Sequence, residues 1–252
     1  MGLTLILSVF IISILCEFID SSLGMMYGTI LSPVLIILGF PIENVVPAIL
    51  ISQALGGMMA SFRHNHFGNI NIKDKNSSEL KIATTIFLFG ILAVIFGVFV
   101  SLNIPKDIIR IYIGVLVFIM SLIVLINKRF NFSWKKIYLV GILSSFNKAI
   151  SGGGFGPLVS TGLIVSGKES KSSVGITGLA EVPICLSAFV AWMVMNNSNM
   201  NLTLITVLCI GSIIGAFFGP KLTSKVDSKK LKIIVGILGV LLGIFCIFGA
   251  KI

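Results

Sequence analysis

Charged residues are scarce in this chain of 252 residues: 19 are basic, nine are acidic, and together they form 11% of the sequence. So few charges cannot cover the surface of a soluble domain, and 56% of the residues are hydrophobic, with a mean hydropathy of +1.09. Apolar runs recur from end to end, whereas the two-residue alternation of a membrane β-barrel is missing. The sequence therefore predicts an all-α polytopic protein of the cell membrane (plasma or inner membrane), embedded in the lipid bilayer.

Paired cysteines and nucleotide-binding motifs are missing as well. There is no C-x-x-C spacing and no P-loop, which excludes ATP as the direct energy source within this chain. Two histidines, His64 and His66, have no third ligand nearby, so we expect no metal site. We expect no cofactor and no catalytic residue, and hence no enzyme. The cysteines are interpreted as small apolar side chains: Cys16, Cys185, Cys209 and Cys246.

Apolar segments number ten, with five in each half of the chain. An odd number of segments per half inverts the second half relative to the first, so we predict two inverted repeats, residues 1–130 and 131–252. The segments cover approximately residues 3–18, 25–40, 45–62, 82–102, 108–126, 137–150, 154–167, 172–195, 203–219 and 231–250.

The halves also share a sequence pattern. The stretch 24–32 aligns without a gap with the stretch 152–160, and both are rich in glycine. Duplicated halves with broken helices and buried polar groups are how many secondary transporters build a substrate site. In the same register, three further pairs align: Gly39 with Gly167, Gln53 with Glu181, and Asp20 with Lys148.

The basic residues predict the orientation. If successive segments alternate sides, most of the 19 basic residues share one face, which should be cytoplasmic, so both termini should lie outside. The net charge of +10 then reflects this orientation against anionic lipid and does not indicate nucleic-acid binding. The basic residues of that face are Arg63, Lys73, Lys75, Lys81, Lys128, Arg129, Lys135, Lys136, Lys168, Lys171, Lys221, Lys225, Lys229, Lys230 and Lys232.

Four segments are short for a membrane crossing. Segments 3–18, 25–40, 137–150 and 154–167 have roughly 14 to 16 residues, against about 20 for a full span. Each pair is either two thin crossings or a re-entrant hairpin, and charge does not distinguish the two. Irregular backbone at that depth persists only inside protein or along a cavity, so we expect the glycine-rich tips at a site.

Five polar residues fall near the middle of the predicted membrane. Helical rise places Lys148 about 18 Å beyond Lys136, and Glu181 about 15 Å beyond Lys171. Gln53 reaches a similar depth, and Asp20 with Glu17 occupies the equivalent turn of the first half. Buried charges are costly and usually functional.

Two interpretations of these polar residues remain open. Asp20 and Lys148 form either a structural ion pair or the lining of a substrate or proton path, and we favour the path. Glu181 aligns with a neutral glutamine and stands alone among apolar neighbours, which suits reversible protonation. We therefore expect Glu181 and Asp20 to couple transport to protons.

The glycine-rich breaks indicate the sign of the substrate. Helices that begin after Gly24 and Gly152 would point their positive N-terminal ends at the centre, which favours an anion. Lys148 adds a full positive charge, and Asn147 and Ser151 can add hydrogen bonds. The alternative is that the glycines only permit close helix packing. The run Arg63–Asn71 is interpreted as a solvated helix end that attracts anions.

The chain resembles the TauE/SafE sulfite-exporter family, also called the TSUP transporters, over nearly its full length. The resemblance implies a transporter of small sulfur-containing anions such as sulfite, thiosulfate or organosulfonates. The first copy reads Gly24-Met25-Met26 instead of a glycine run, so we expect the second half to contact the anion more. The motifs that carry the resemblance are the two glycine-rich stretches with Gly39 and Gly167, Pro33, Pro157, Thr177-Gly178-Leu179-Ala180-Glu181 and the His64…Gly68-Asn69 turn.

The sequence thus predicts a secondary transporter that works by alternating access and is coupled to protons. A passive anion channel or an intramembrane thiol redox protein are the alternatives. No oligomeric state is predicted. The expected substrate-binding residues are Asp20, Gly24, Gly28, Gln53, Asn147, Lys148, Ser151, Gly152, Gly153, Gly154, Gly156 and Glu181.

Overall fold

The computed structural model describes residues 2–126, 134–165, 168–196 and 200–223, together with single positions from 225 to 248. Within these ranges every regular element is an α-helix. The helices are α1 (Leu3–Leu23), α2 (Tyr27–Ile37), α3 (Ile42–His66), α4 (Ser78–Asn103), α5 (Lys106–Ile126), α6 (Trp134–Ser151), α7 (Phe155–Val165), α8 (Ser170–Met195) and α9 (Leu202–Thr223).

These helices make the chain an all-α polytopic membrane protein. Five of them, α1, α3, α4, α8 and α9, are long and apolar enough to cross a membrane. The first nine predicted segments each match one helix. Most of the tenth segment, 231–250, lies outside the described residues, as do these positions named above: Lys128, Arg129, Gly167, Lys229, Lys230, Lys232 and Cys246.

The expectation that the first segment is short was wrong. Helix α1 has 21 residues, because it continues past residue 18 to Leu23. The hydroxyls of Ser21 and Ser22 donate to the carbonyls of Glu17 and Phe18 one turn earlier, so these serines are satisfied within the helix although both are buried. Helices α2 and α7 are short as expected, with 11 residues each, and α6 has 18.

Two helix breaks at equivalent positions of the repeat have the same backbone conformation. Helix α1 ends before Gly24, at φ 71°, and α6 ends before Gly152, at φ 72°. Two residues later, Met26 and Gly154 also have positive φ, 116° and 79°. Glycine adopts this region without steric cost, whereas methionine does not. The first break is therefore the more strained of the two.

The halves of the chain exchange their fourth helices. Helix α9 packs on α1 and α3, whereas α4 packs on α6 and α8, and α3 and α8 lie against each other at the centre. Small residues allow the close approaches: Gly97 of α4 lies against Ala149 of α6, and Gly215 of α9 lies against the backbone at Ile14. Each half is thus completed by a helix of the other, while inversion across the membrane stays a prediction.

Candidate functional site

The two helix breaks touch each other through backbone atoms. A Cβ on Gly28 would meet the carbonyl oxygen of Gly152, and a Cβ on Gly156 would meet the carbonyl oxygen of Gly24 at 2.7 Å. The Gly154 N–H donates to Thr29 Oγ1 at 3.1 Å, which joins the two breaks directly. The glycines are therefore needed for contact between the breaks.

A buried polar network lies beside the breaks. Lys148 Nζ forms an ion pair with Glu181 Oε1 at 2.8 Å and donates to Gln53 Oε1 at 2.7 Å. Gln53 Nε2 donates to Asp20 Oδ2 at 2.9 Å and to Glu181 Oε2 at 3.2 Å. Gln53 of α3 therefore links α1, α6 and α8, and it joins residues from both halves of the chain.

All four members of this network are inaccessible. Lys148 is 1% exposed, Gln53 2%, Glu181 3% and Asp20 7%. One expectation and one of the alternatives left open need correction. Glu181 is paired with Lys148 and so is not a lone carboxylate, and Asp20 reaches Lys148 through Gln53 instead of forming the direct ion pair considered from the sequence. Buried charges persist when they are paired and hydrogen-bonded, as here.

The start of α2 is capped by a carboxylate of the chain itself. Asp20 Oδ1 accepts a hydrogen bond from the Tyr27 N–H at 2.9 Å, where the positive end of the helix dipole favours negative charge. At the start of α7 the equivalent of Asp20 is Lys148, so that helix has no carboxylate at this position. The two breaks have similar backbones but opposite charges beside them.

Asn147 and Ser151 are turned to other partners. The Tyr112 hydroxyl of α5 donates to Asn147 Oδ1. Ser151 Oγ bonds the carbonyl of Asn147 at 2.7 Å and accepts from the Gly153 N–H at 3.1 Å. Both residues support the second break, but neither is hydrogen-bonded to Lys148 in the part of the chain that the structure describes.

A third buried acid, Glu17, and the Tyr27 hydroxyl have polar partners that the sequence did not reveal. Glu17 is 1% exposed, and its Oε2 accepts from Ser212 Oγ of α9 at 3.3 Å. The Tyr27 hydroxyl bonds Ser52 Oγ at 2.9 Å and Ser13 Oγ at 3.1 Å. The sequence signal for these contacts was the presence of hydroxyl residues inside apolar runs. Alignment of the two halves of the chain did not single these residues out.

The interpretation of the run Arg63–Asn71 as a solvated helix end was wrong for His64. His64 is 1% exposed; its Nε2 donates to the Ser21 carbonyl at 2.9 Å, and its Nδ1 accepts from Asn69 Nδ2 at 2.9 Å. His66 is exposed, on the opposite face of α3. His64 therefore ties the end of α3 to the last turn of α1.

Comparisons with known proteins agree with one another. The family model described as "Sulfite exporter TauE/SafE" matches residues 9–246. The probable membrane transporter protein YtnM of Bacillus subtilis is 24% identical over 239 residues, covering 89% of this chain and 77% of that protein. The probable membrane transporter protein YdhB of the same organism is 20% identical over 256 residues, covering 97% and 99%. No solved structure matches the chain.

Proposed function

The chain belongs to the TauE/SafE sulfite exporter family and is a membrane transporter, and we propose that it carries a small sulfur-containing anion, such as sulfite, thiosulfate or a sulfonate, by secondary transport. The observation that carries this proposal is the buried ion pair of Lys148 and Glu181 beside two touching helix breaks. Lys148 offers an anion a full charge beside the start of α7, where the Phe155 N–H is the repeat equivalent of the Tyr27 N–H that donates to Asp20.

The anion binds by replacing Glu181 as the partner of Lys148. An ammonium group has three N–H donors, of which Gln53 and Glu181 engage two. An oxyanion that takes the place of the Glu181 carboxylate keeps Lys148 paired while the protein opens. Binding and release of the anion are thereby linked to the making and breaking of one buried ion pair.

The start of α7 is the second contact of the anion. In the first half, Asp20 fills the corresponding place at the start of α2, so the chain itself shows how this turn holds a negative oxygen. Lys148 stands where the first half has Asp20, and Gly154 replaces Met26. These differences favour an external anion at the second break, with Asn147 and Ser151 holding its backbone in place.

Protons accompany the anion. The buried groups among the described residues include three carboxyl groups, Glu17, Asp20 and Glu181, against the single ammonium group of Lys148. An added anion would increase this negative excess in a medium that solvates charge poorly. Glu181 takes up a proton when the anion displaces it, and Asp20, linked through Gln53, is the second proton carrier.

The repeats move against each other about the paired breaks. Residues 1–130 and 131–252 act as inverted halves, with the lysine-rich face in the cytoplasm and both termini outside. The touching breaks and the buried Lys148 fit an occluded state of such a carrier, whereas a passive channel needs a continuous path.

Counter-flow in proteoliposomes tests the proposal. Vesicles loaded with unlabelled sulfite should accumulate labelled sulfite, uptake should saturate, and thiosulfate, sulfate, sulfoacetate and taurine then rank the substrates. Lys148→Met should abolish accumulation, and Lys225→Met, at an exposed position, should retain it. Unsaturable uptake with single-channel current steps would instead identify a channel, and full activity of Lys148→Met would place the anion elsewhere.

A further inference from the structure

A cavity of about 330 Å³ lies between α3, α4 and α8, apart from the polar network. Its lining is almost entirely apolar and includes Phe62, Ala83, Phe87 and Val182. The cavity is open to the outer surface of the helices, because Phe62 is 64% exposed and also lines it. An apolar space of this kind does not hold ordered water, so it suits an apolar occupant.

The position of the cavity along the helices points to part of a lipid. Ile72, in the connection before α4, and Leu80, in the first turn of α4, form one end of the lining, and Phe87 lies nine residues into α4. The cavity therefore extends about 13 Å along α4 from the start of that helix, towards the interior of the predicted membrane. An acyl chain that starts at the headgroup layer follows this path.

Basic residues adjoin the lining residues at this end of the cavity. Lys73 directly follows Ile72 and Lys81 directly follows Leu80, and both lysines are exposed. This stretch carries three exposed lysines, Lys73, Lys75 and Lys81, against two carboxylates, Asp74 and Glu79, so its net charge is positive. Lysines at a membrane surface attract anionic lipid headgroups.

One unpartnered hydroxyl lies inside the cavity. Ser61 lines it and is 5% exposed, and its Oγ has no hydrogen-bond partner in the described part of the protein. A buried hydroxyl without a partner costs free energy. The ester carbonyl of a glycerolipid accepts a hydrogen bond at the depth where an acyl chain begins, which would satisfy Ser61.

We propose that this cavity binds an anionic phospholipid, with one acyl chain between α3, α4 and α8 and the phosphate against Lys73 and Lys81. The inference does not rest on the proposed substrate, since it concerns a different surface and a different ligand. A lipid held there would contact Val182, next to Glu181 of the polar network.

Native mass spectrometry of the whole purified protein tests this. Dioleoyl phosphatidylglycerol and dioleoyl phosphatidylcholine, which share their acyl chains, are offered separately. Wild type should retain the phosphatidylglycerol preferentially. Lys73→Gln with Lys81→Gln should reduce that preference roughly 25-fold, fivefold for each lysine. Lys225→Gln, which removes an exposed charge elsewhere, should not.

A blocked cavity tests the acyl chain. Thr84 is exposed and lines the cavity, so Thr84→Trp should reduce retention of both lipids, whereas Leu88→Trp, one turn further along α4 at a position 61% exposed, should not. Equal retention of the two lipids by wild type, an equal loss with Lys225→Gln, or equal effects of the two tryptophans would each overturn the proposal. Retained phosphatidylcholine in the lysine variant verifies that it is folded.

Discussion

Replacement of Lys148 by methionine should destabilise the protein more than replacement of Lys148 and Glu181 together. Lys148→Met keeps much of the side-chain volume but removes the ion pair at 2.8 Å and the hydrogen bond to Gln53 at 2.7 Å. The Glu181 carboxylate, 3% exposed, then keeps only the bond from Gln53 Nε2 at 3.2 Å. A buried charge is left without its counter-charge.

The magnitude follows from the cost of an unpaired buried charge. Removal of one member of a buried pair costs about 3–5 kcal/mol. The double replacement Lys148→Met with Glu181→Gln leaves neutral groups and loses hydrogen bonds worth about 1 kcal/mol each. For a chain of this length 1 kcal/mol corresponds to roughly 2–4 °C in Tm, so the single variant should melt roughly 6–20 °C lower and the double variant only a few degrees lower.

Wild type, Lys148→Met, Glu181→Gln and the double variant together form a double-mutant cycle for this pair. The measurement is thermal denaturation of these four proteins in one detergent. Lys225→Met, at an exposed position, controls for loss of a lysine and should change Tm by about 1–2 °C at most. If the double variant melts as low as the summed effects of the single variants, the two side chains do not stabilise each other and the network described above is wrong.

Three further predictions address the proton, the breaks and the histidine. Sulfite uptake should rise as external pH falls, because a proton accompanies the anion. Glu181→Gln should flatten this pH profile, measured on variant protein that is monodisperse. Glu169→Gln, at an exposed loop position, should leave the profile unchanged. A steep profile in Glu181→Gln would assign the proton to another group. Gly156→Ala should lower both Tm and transport, since its Cβ would lie 2.7 Å from the Gly24 carbonyl oxygen. Gly162→Ala in the same helix should be tolerated, because its Cβ would lie 3.6 Å from the nearest atom. Equal Tm values of the two variants would show that the breaks do not touch. His64→Ala should lower the free energy of unfolding by about 2–3 kcal/mol, because the Ser21 carbonyl and the Asn69 amide lose their partner. His66→Ala should be nearly neutral in the same thermal assay. Similar losses of stability in the two variants would argue against a buried His64.

The helices, the two breaks and the members of the polar network could be predicted from the sequence, because each leaves a local signal. Apolar runs mark the helices, the repeated glycines mark the breaks, and Asp20, Gln53, Lys148 and Glu181 stand out as polar residues within apolar sequence. Alignment of the two halves found all four at once, since it pairs Asp20 with Lys148 and Gln53 with Glu181.

The contacts within the site could not be predicted, because equivalence in a repeat does not imply proximity. Lys148 pairs with Glu181 of its own half, and its repeat equivalent Asp20 is reached only through Gln53. His64 lies in a polar run, and it is removed from water by tertiary contacts: it bonds Ser21 at the end of α1 and Asn69, which itself donates to the Pro220 carbonyl of α9. Burial of this kind depends on tertiary contacts, so no local sequence pattern reveals it.

The separation of the buried charges along the chain has a consequence for biosynthesis. Asp20 is synthesised well before Lys148, and at about 5–20 residues per second the delay is roughly 6–25 s. Its hydrogen-bond partners Tyr27 and Gln53 belong to the same half and can form during that interval. The nascent first half can therefore shield its acid from lipid until the lysine arrives, although α4 must still wait for the helices on which it packs.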